Sequence, residues 1–423
     1  MRVLFISANT EQINMHTLPL GLGCVAQATQ QAGHDVELVD LMFRDDTRLV
    51  LKDAIEGFRP DIIGMSVRNI DDQNRENPTF LLDPVKEIIS DCRALSDVPI
   101  VLGGAGYSIF PESALIYLGA DMGIQGEGEV AFPVLLEMFK QGADLSGLPC
   151  LYLPQHGLQG KRIFAKNLDT LPLPDTHLWS PSTLKDQELW MPVQTRRGCP
   201  LNCSYCSTAT IEGRIIRRHS PKVVTEWITQ LVKAGSFQFY LVDNTFNLPP
   251  WYAKEICRKL IDTGLDISWW CIMYPKDVDE ELVKLMARAG CKQVSLGFES
   301  GSEKILKNMN KRFKPEEVRQ ISEMLTEHGI QRIGFLLLGE PGETKETVDK
   351  SLAFADSLNL DGLKVTVGIR IYPNTFLAKT AIEENVIEPQ NDLLFPRFYL
   401  TRGLEDWLPE RSKEYRSTRP WVF

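Results

Sequence analysis

The chain has 423 residues, enough for two to three domains with cores of their own. Its 43% hydrophobic and 24% charged content is that of a globular protein, and a net charge of −10 excludes a general nucleic-acid binder, which needs basic surface. No apolar run approaches the roughly 18 residues of a transmembrane helix, and nine cysteines, three of them in one short loop, point to a reducing, cytoplasmic setting with little disulfide use.

The N-terminus opens on an apolar run at 2–7, a strand rather than a signal peptide. Helical periodicity at 20–32 stops at Gly33. Strands follow at 36–40, 62–66, 100–103 and 122–124, with helices at 47–58 and 83–94. Strands alternating with helices predict a doubly wound parallel sheet, whose ligands bind outside the C-terminal strand ends. Those ends carry Gly103, Gly104 and Gly106 in one turn, and Gly126, Glu127, Gly128 and Glu129 in another. Ser66, Arg68 and Asn69 follow the third strand, and Leu20 and Gly21 open the first helix. Glycines there let backbone approach a bulky ligand. Ser7-Ala8-Asn9-Thr10 stands where a dinucleotide GxGxxG would be needed, which disfavours that ligand. Residues 151–188 read as a linker, with a hairpin pairing 151–153 to 161–164 and a Pro-containing stretch at 171–181.

The segment Arg-Arg-Gly-Cys-Pro-Leu-Asn-Cys-Ser-Tyr-Cys places Cys199, Cys203 and Cys206 as CxxxCxxC. Three thiolates at this spacing can ligate three irons of a [4Fe–4S] cube and leave the fourth open. A structural zinc site would want four ligands, and no second CxxC follows. A strand at 189–195 puts this loop at the end where parallel barrels keep their active sites. Further strands at 237–242, 294–298, 333–338 and 364–371 end in Asp243-Asn244, in Glu299-Ser300-Gly301, in Gly339-Glu340-Pro341-Gly342-Glu343-Thr344 and in Tyr372-Pro373. The tail from 395 is rich in aromatics.

CxxxCxxC with Tyr205 before the third cysteine resembles the radical S-adenosylmethionine (SAM) family, and the later strand ends follow that family's order. With the glycine-rich sheet ahead of it, the chain looks like a cobalamin-dependent member, similar to its methyltransferases. The resemblance implies an α/β architecture: a Rossmann-like cobalamin-binding domain at 1–150, a linker at 151–188, a partial (β/α)6 barrel at 189–385 and a short C-terminal cap at 386–423. It implies a [4Fe–4S] cluster on the three cysteines. SAM would be held by Tyr205, Asp243, Asn244, Glu299, Ser300, Arg312 and Gly339, and cobalamin by the strand-end residues named above. No DxHxxG is present, so Arg68 rather than a histidine is expected on cobalt's lower face; Asp175-Thr176-His177 is a look-alike in the linker. The implied partners are a small-molecule substrate and an external electron donor such as flavodoxin or ferredoxin.

Methylation of an unactivated carbon is the leading expectation. Cyclisation or ring contraction on the same scaffold is an alternative. A methylthiotransferase would want a second cysteine trio, and Cys24, Cys92 and Cys150 are dispersed. A non-enzymatic corrinoid- or metal-binding protein is the remaining reading.

Overall fold

The computed structural model describes residues 1–11, 17–42, 44–179, 181–184, 186 and 188–423. The chain divides into two compact units: 1–72 with 78–189 and 208–213, and 73–77 with 190–207 and 214–423.

In the first unit, β1 (Arg2–Ser7), β2 (Asp35–Asp40), β3 (Ile62–Ser66), β4 (Ile100–Gly103) and β5 (Met122–Ile124) pair in parallel in the order β2-β1-β3-β4-β5. Val3 to Ile6 are buried because helices cover both faces, which is why this strand reads as a continuous apolar run. Helices Leu20–Gln31 and Gly128–Lys140 pack together around Phe5, Ala26, Val101, Phe132 and Leu135. Helices Thr47–Phe58 and Leu82–Leu95 pack together as a second pair. Asp46 caps the former through the Leu49 amide, and Arg59, in the left-handed region at φ 52°, ends it.

Strands β6 (Leu151–Leu153) and β7 (Gly157–Leu158) add two antiparallel members to this sheet. The hairpin therefore closes on 157–158 and not on 161–164 as the sequence pattern suggested. Gln155 and Gly157 adopt positive φ (64° and 65°) and turn the chain within three residues, so the partner strand arrives early.

The second unit is an open sheet of six parallel strands. Its members are β8 (Met191–Val193), β11 (Gln238–Leu241), β12 (Ser268–Met273), β13 (Cys291–Glu299), β14 (Gln331–Leu338) and β15 (Gly362–Val367), paired in chain order. Between them run a short antiparallel pair, β9 (Arg196–Arg197) with β10 (Arg217–Arg218), and the connecting helices. β12 is absent from the strands read in the sequence; along it Trp269, Cys271 and Met273 alternate with Ser268, Trp270 and Ile272. In the fold Trp269, Cys271 and Met273 are buried.

The tail divides. β17 (Phe398–Tyr399) pairs with β16 (Ile369–Arg370), and the Thr401 amide donates to the Gly339 carbonyl at 3.0 Å, so 398–401 lies at the strand ends. Helix Trp407–Ser417 contacts β15, and residues 421–423 bond along the free edge of that strand.

Candidate active site

Gly198 (φ 89°) turns the chain from β9 into the cysteine loop. The loop is pinned by backbone: Ser204 N donates to Met309 O (3.1 Å), Cys206 N to Cys203 O (3.3 Å) and Leu377 N to Ser204 O (2.9 Å). The thiols are graded in exposure, Cys199 buried, Cys203 intermediate and Cys206 exposed. Among the described residues no three Cys, His, Asp or Glu side chains converge as one metal ion would require; zinc needs its thiolates within about 2.3 Å. A cube offers its irons at separate corners, so thiols spread along one loop suit it.

Asp243, fully buried at the end of β11, braces the approach to the loop. Its Oδ1 accepts from the Thr195 and Arg196 amides (2.7 and 3.1 Å), and its Oδ2 accepts from Thr195 Oγ1 (2.6 Å). Arg196 Nε stands 3.5 Å from the same Oδ2, and its guanidinium lies 5.4 Å from the Tyr252 ring centroid. Asn244 is in the turn that follows β11. Ser300 is engaged within the fold, its Oγ 2.9 Å from Ser351 Oγ and accepting from Ser302 N.

Glu299 sits at a register shift in β13 with φ 61°, a costly conformation for a residue with a Cβ. It aims its Oε1 at two donors, Tyr205 Oη (3.0 Å) and Lys311 Nζ (3.2 Å). Lys311 is the residue the sequence reading passed over in favour of its neighbour. Its ammonium is buried, 5.3 Å from the Tyr205 ring centroid and 5.9 Å from that of Tyr274. Burial alone would lower the ammonium, but the Glu299 carboxylate, Tyr205 and Cys203 outweigh it and hold Lys311 above its usual range. Burial pushes the Cys203 thiol up, with Lys311 opposing through charge and a hydrogen bond. Arg312 donates its backbone amide to Tyr274 Oη (2.8 Å).

Beyond β14, two carboxyls went unread in the turn after Gly339 (φ 106°). Glu340 accepts from Ser204 Oγ (2.8 Å), and Glu343 accepts from the Gly339 and Glu340 amides. Burial pushes each carboxyl up to about 7. Glu340 Oε2, Glu343 Oε1 and both Nη of Arg196 are buried with no hydrogen-bond partner among the described residues. A ligand carrying amino, hydroxyl and carboxylate groups would answer such orphaned atoms, and in that respect the residues present fit SAM.

The first unit offers a different surface. Its sheet changes direction between β1 and β3, and outside that point lies a shallow, open cleft lined by Ala8, Asn9, Val67, Arg68, Asn69 and neighbours. Ser66 ends β3 beside it, and Leu20 and Gly21 open the adjoining helix. A Cβ at Gly104 (φ 102°) would stand 2.5 Å from Val67 O, and one at Gly106 would stand 2.9 Å from Arg68 O. These glycines therefore let the loop carrying Arg68 press onto the turn after β4, a reason that lies inside the protein. Gly103 differs: among the described residues its Cβ would meet nothing closer than Ile124 O at 3.9 Å, so the strand end is open at that position. In the next turn, Gly126 N donates to Ser108 Oγ (2.8 Å), Glu127 accepts from Ala165 N (2.8 Å), Gly128 faces Val25, and Glu129 is buried. The residues present fit a large planar cofactor. His177 sits in a surface turn bonded to Gln30 (3.0 Å), and His34 lies at the amino end of β2, away from the cleft.

A doubly wound parallel sheet is thus followed in one chain by an open parallel barrel with a cysteine loop at its strand ends. Comparison with known proteins gives the family. The B12 binding domain matches residues 6–136 and the radical SAM superfamily matches residues 193–355. The chain is 28% identical to an uncharacterised methyltransferase of Pyrococcus horikoshii over 92% of its own length and 85% of the relative's. It is 23% identical to the tryptophan 2-C-methyltransferase of Streptomyces laurentii, over 89% and 74%. The structure of the radical SAM methyltransferase TsrM from Kitasatospora setae superposes with a TM-score of 0.87 at 21% identity, covering all of this chain and 90% of that one, which shows a shared fold. The protein belongs to the cobalamin-dependent radical SAM enzymes, whose cofactors are a [4Fe–4S] cluster, SAM and cobalamin. No helix among the described residues is long and apolar enough to cross a membrane.

Proposed function

We propose that the protein transfers a methyl group from SAM to an unactivated carbon of a small organic or lipid-like substrate. On this reading it works in the cytoplasm and receives electrons from a flavodoxin or ferredoxin. When bound, the three cofactors supply reductive cleavage of SAM to a carbon radical and a cobalt-carried methyl group. Cys199, Cys203 and Cys206 would hold the cluster and leave one iron open. Tyr205, Asn244, Glu299, Arg312 and Gly339 would frame SAM, with Asp243 and Ser300 acting through the backbone they brace. Lys311 neutralises Glu299 and keeps a positive charge beside Cys203, where an added electron must be accommodated. Leu20, Gly21, Ser66, Asn69 and Gly103 would border the corrinoid, with Arg68 beneath it, while Gly104, Gly106, Gly126, Glu127, Gly128 and Glu129 would act through the packing and hydrogen bonds that hold those turns in place. An arginine cannot deprotonate to ligate a metal, so it would leave the lower face of cobalt weakly held, which favours methyl release.

The observation that carries this reading is the pairing in one chain of the graded thiolate loop at the barrel strand ends with the cleft at the β1/β3 switch point. Relatives named as C-methylating enzymes support methylation, among them a hopanoid C-3 methylase of Methylococcus capsulatus, 25% identical over 70% of this chain. The test is anaerobic incubation of the reconstituted enzyme with a small-molecule extract and SAM bearing a trideuterated methyl group. A product gaining the labelled methyl is expected. A product formed with hydrogen loss and no label would overturn methylation in favour of cyclisation.

A further inference from the structure

We infer that residues 214–222, with Trp251, form the docking surface for an acidic one-electron donor protein. The inference rests on the reading of Cys199, Cys203 and Cys206 as cluster ligands. In a chain of net charge −10, this stretch reads Arg-Ile-Ile-Arg-Arg-His-Ser-Pro-Lys and holds no carboxylate; Arg217 and His219 are buried, so its outward charge comes from Arg214, Arg218 and Lys222. It is not set apart from the chemistry. Arg214 Nη1 donates to Asn202 Oδ1 at 3.0 Å, and Asn202 immediately precedes Cys203. A protein bound here would lie one residue from a cluster ligand, where a short path for an electron is available.

The surface has the make-up of a small transient interface. Ile215 is 77% exposed and Trp251 is 55% exposed, both unusual for large apolar side chains. Arg218 lies 4.9 Å from the Trp251 ring centroid, which fixes an aromatic and a cation side by side. Such residues are enriched at interface centres, and a rim of Arg214 and Lys222 would steer an acidic partner. Glu226 lies 3.8 Å from Lys222 with both side chains mostly exposed, a weak and screened pair, and Glu212 precedes the stretch in the chain. Electron-transfer complexes bury little area and depend on such steering. RNA is the competing occupant of a basic patch, but tight RNA binding draws on many phosphate contacts, and one short segment supplies few. On docking, the donor's reduced flavin would be oxidised by one electron, and a cluster held by Cys199, Cys203 and Cys206 would be reduced by it.

The experiment uses the reconstituted holoenzyme with reduced bacterial flavodoxin or with dithionite as reductant. It compares the wild type with Ile215→Glu, Lys222→Glu, Arg214→Glu and a control, Lys292→Glu, at the opposite end of β13. We expect flavodoxin binding and the rate of cluster reduction by flavodoxin to fall about tenfold or more in the three patch variants and to lose their salt dependence. Iron content and the dithionite rate should stay unchanged, and the control should behave as wild type. Unchanged flavodoxin binding and reduction in all three patch variants would overturn the surface. So would tRNA binding to the wild type that the variants lose while flavodoxin reduction is kept. A wild type whose cysteine-bound iron dithionite cannot reduce would instead overturn the cluster reading beneath it.

Discussion

The two units present strand ends of opposite character. In the first, the turn after β4 is glycine and backbone, close packing of the 66–69 loop accounts for Gly104 and Gly106, and the two acids of the turn after β5 are turned to the protein itself, Glu127 to the Ala165 amide and Glu129 into the interior. In the second, the strand ends carry buried ion pairs, Glu299 with Lys311 and Asp243 with Arg196, and two buried carboxyls whose neutral forms burial favours, Glu340 and Glu343. A broad ring edged with amides is recognised by shape and by hydrogen bonds to backbone, which supplies a surface without the desolvation cost of ions. A small charged ligand beside a redox centre calls for fixed charges, which are held only by satisfying one another or by waiting for the ligand.

The sharpest way to break this contrast is to remove one side alone. Replacing Cys199, Cys203 and Cys206 together by Ala should abolish cluster iron while corrinoid binding persists. Iron analysis and corrinoid absorbance measure both, and full iron retention would end the assignment. The reciprocal change is Gly103→Leu. Added atoms there meet no chain atom closer than 3.9 Å at Cβ, so the variant should fold, keep its iron and lose most of its corrinoid. Equal corrinoid in variant and wild type would place the ring elsewhere. Gly104→Val is a poorer probe, since it strains the turn itself.

The smallest effect is on stability against pH. Glu340 and Glu343 are raised from 4.5 to about 7 by burial, so the folded state favours their neutral forms. Their contribution is complete below the unfolded value and is lost as pH rises through about 7. The melting temperature of the iron-free, ligand-free protein should therefore fall by roughly 3–6 °C from pH 5 to pH 8. The double variant Glu340→Gln with Glu343→Gln should flatten that slope. An equal slope in both proteins would show that the carboxyls are solvated.

Much of this was legible in the chain. Strands 62–66, 100–103 and 122–124 were readable because both faces are covered and their residues form unbroken apolar runs between turn signals. The cysteine loop and Glu299 were readable because spacing and strand-end position are local. Lys311 was not, since nothing local separates it from Lys307, Arg312 or Lys314; only the fold buries it against Glu299 and Tyr205. Glu340 and Glu343 hid for a similar reason: acidic residues in a Pro-Gly turn normally face water. The 157–158 hairpin partner was missed because its turn depends on Gln155 in a left-handed conformation, which composition does not announce.

An open barrel has a free edge, and here the last residues occupy it. Leu363 N donates to Trp421 O, Phe423 N to Leu363 O, and Val365 N to Phe423 O, at 2.9, 2.9 and 3.2 Å. The outer face of β15 is thereby denied to other chains, which would otherwise find unpaired amides and carbonyls beside apolar side chains. In practical terms, a substitution that loosens residues 421–423 would bare the β15 edge and raise the tendency of the barrel to pair with other chains.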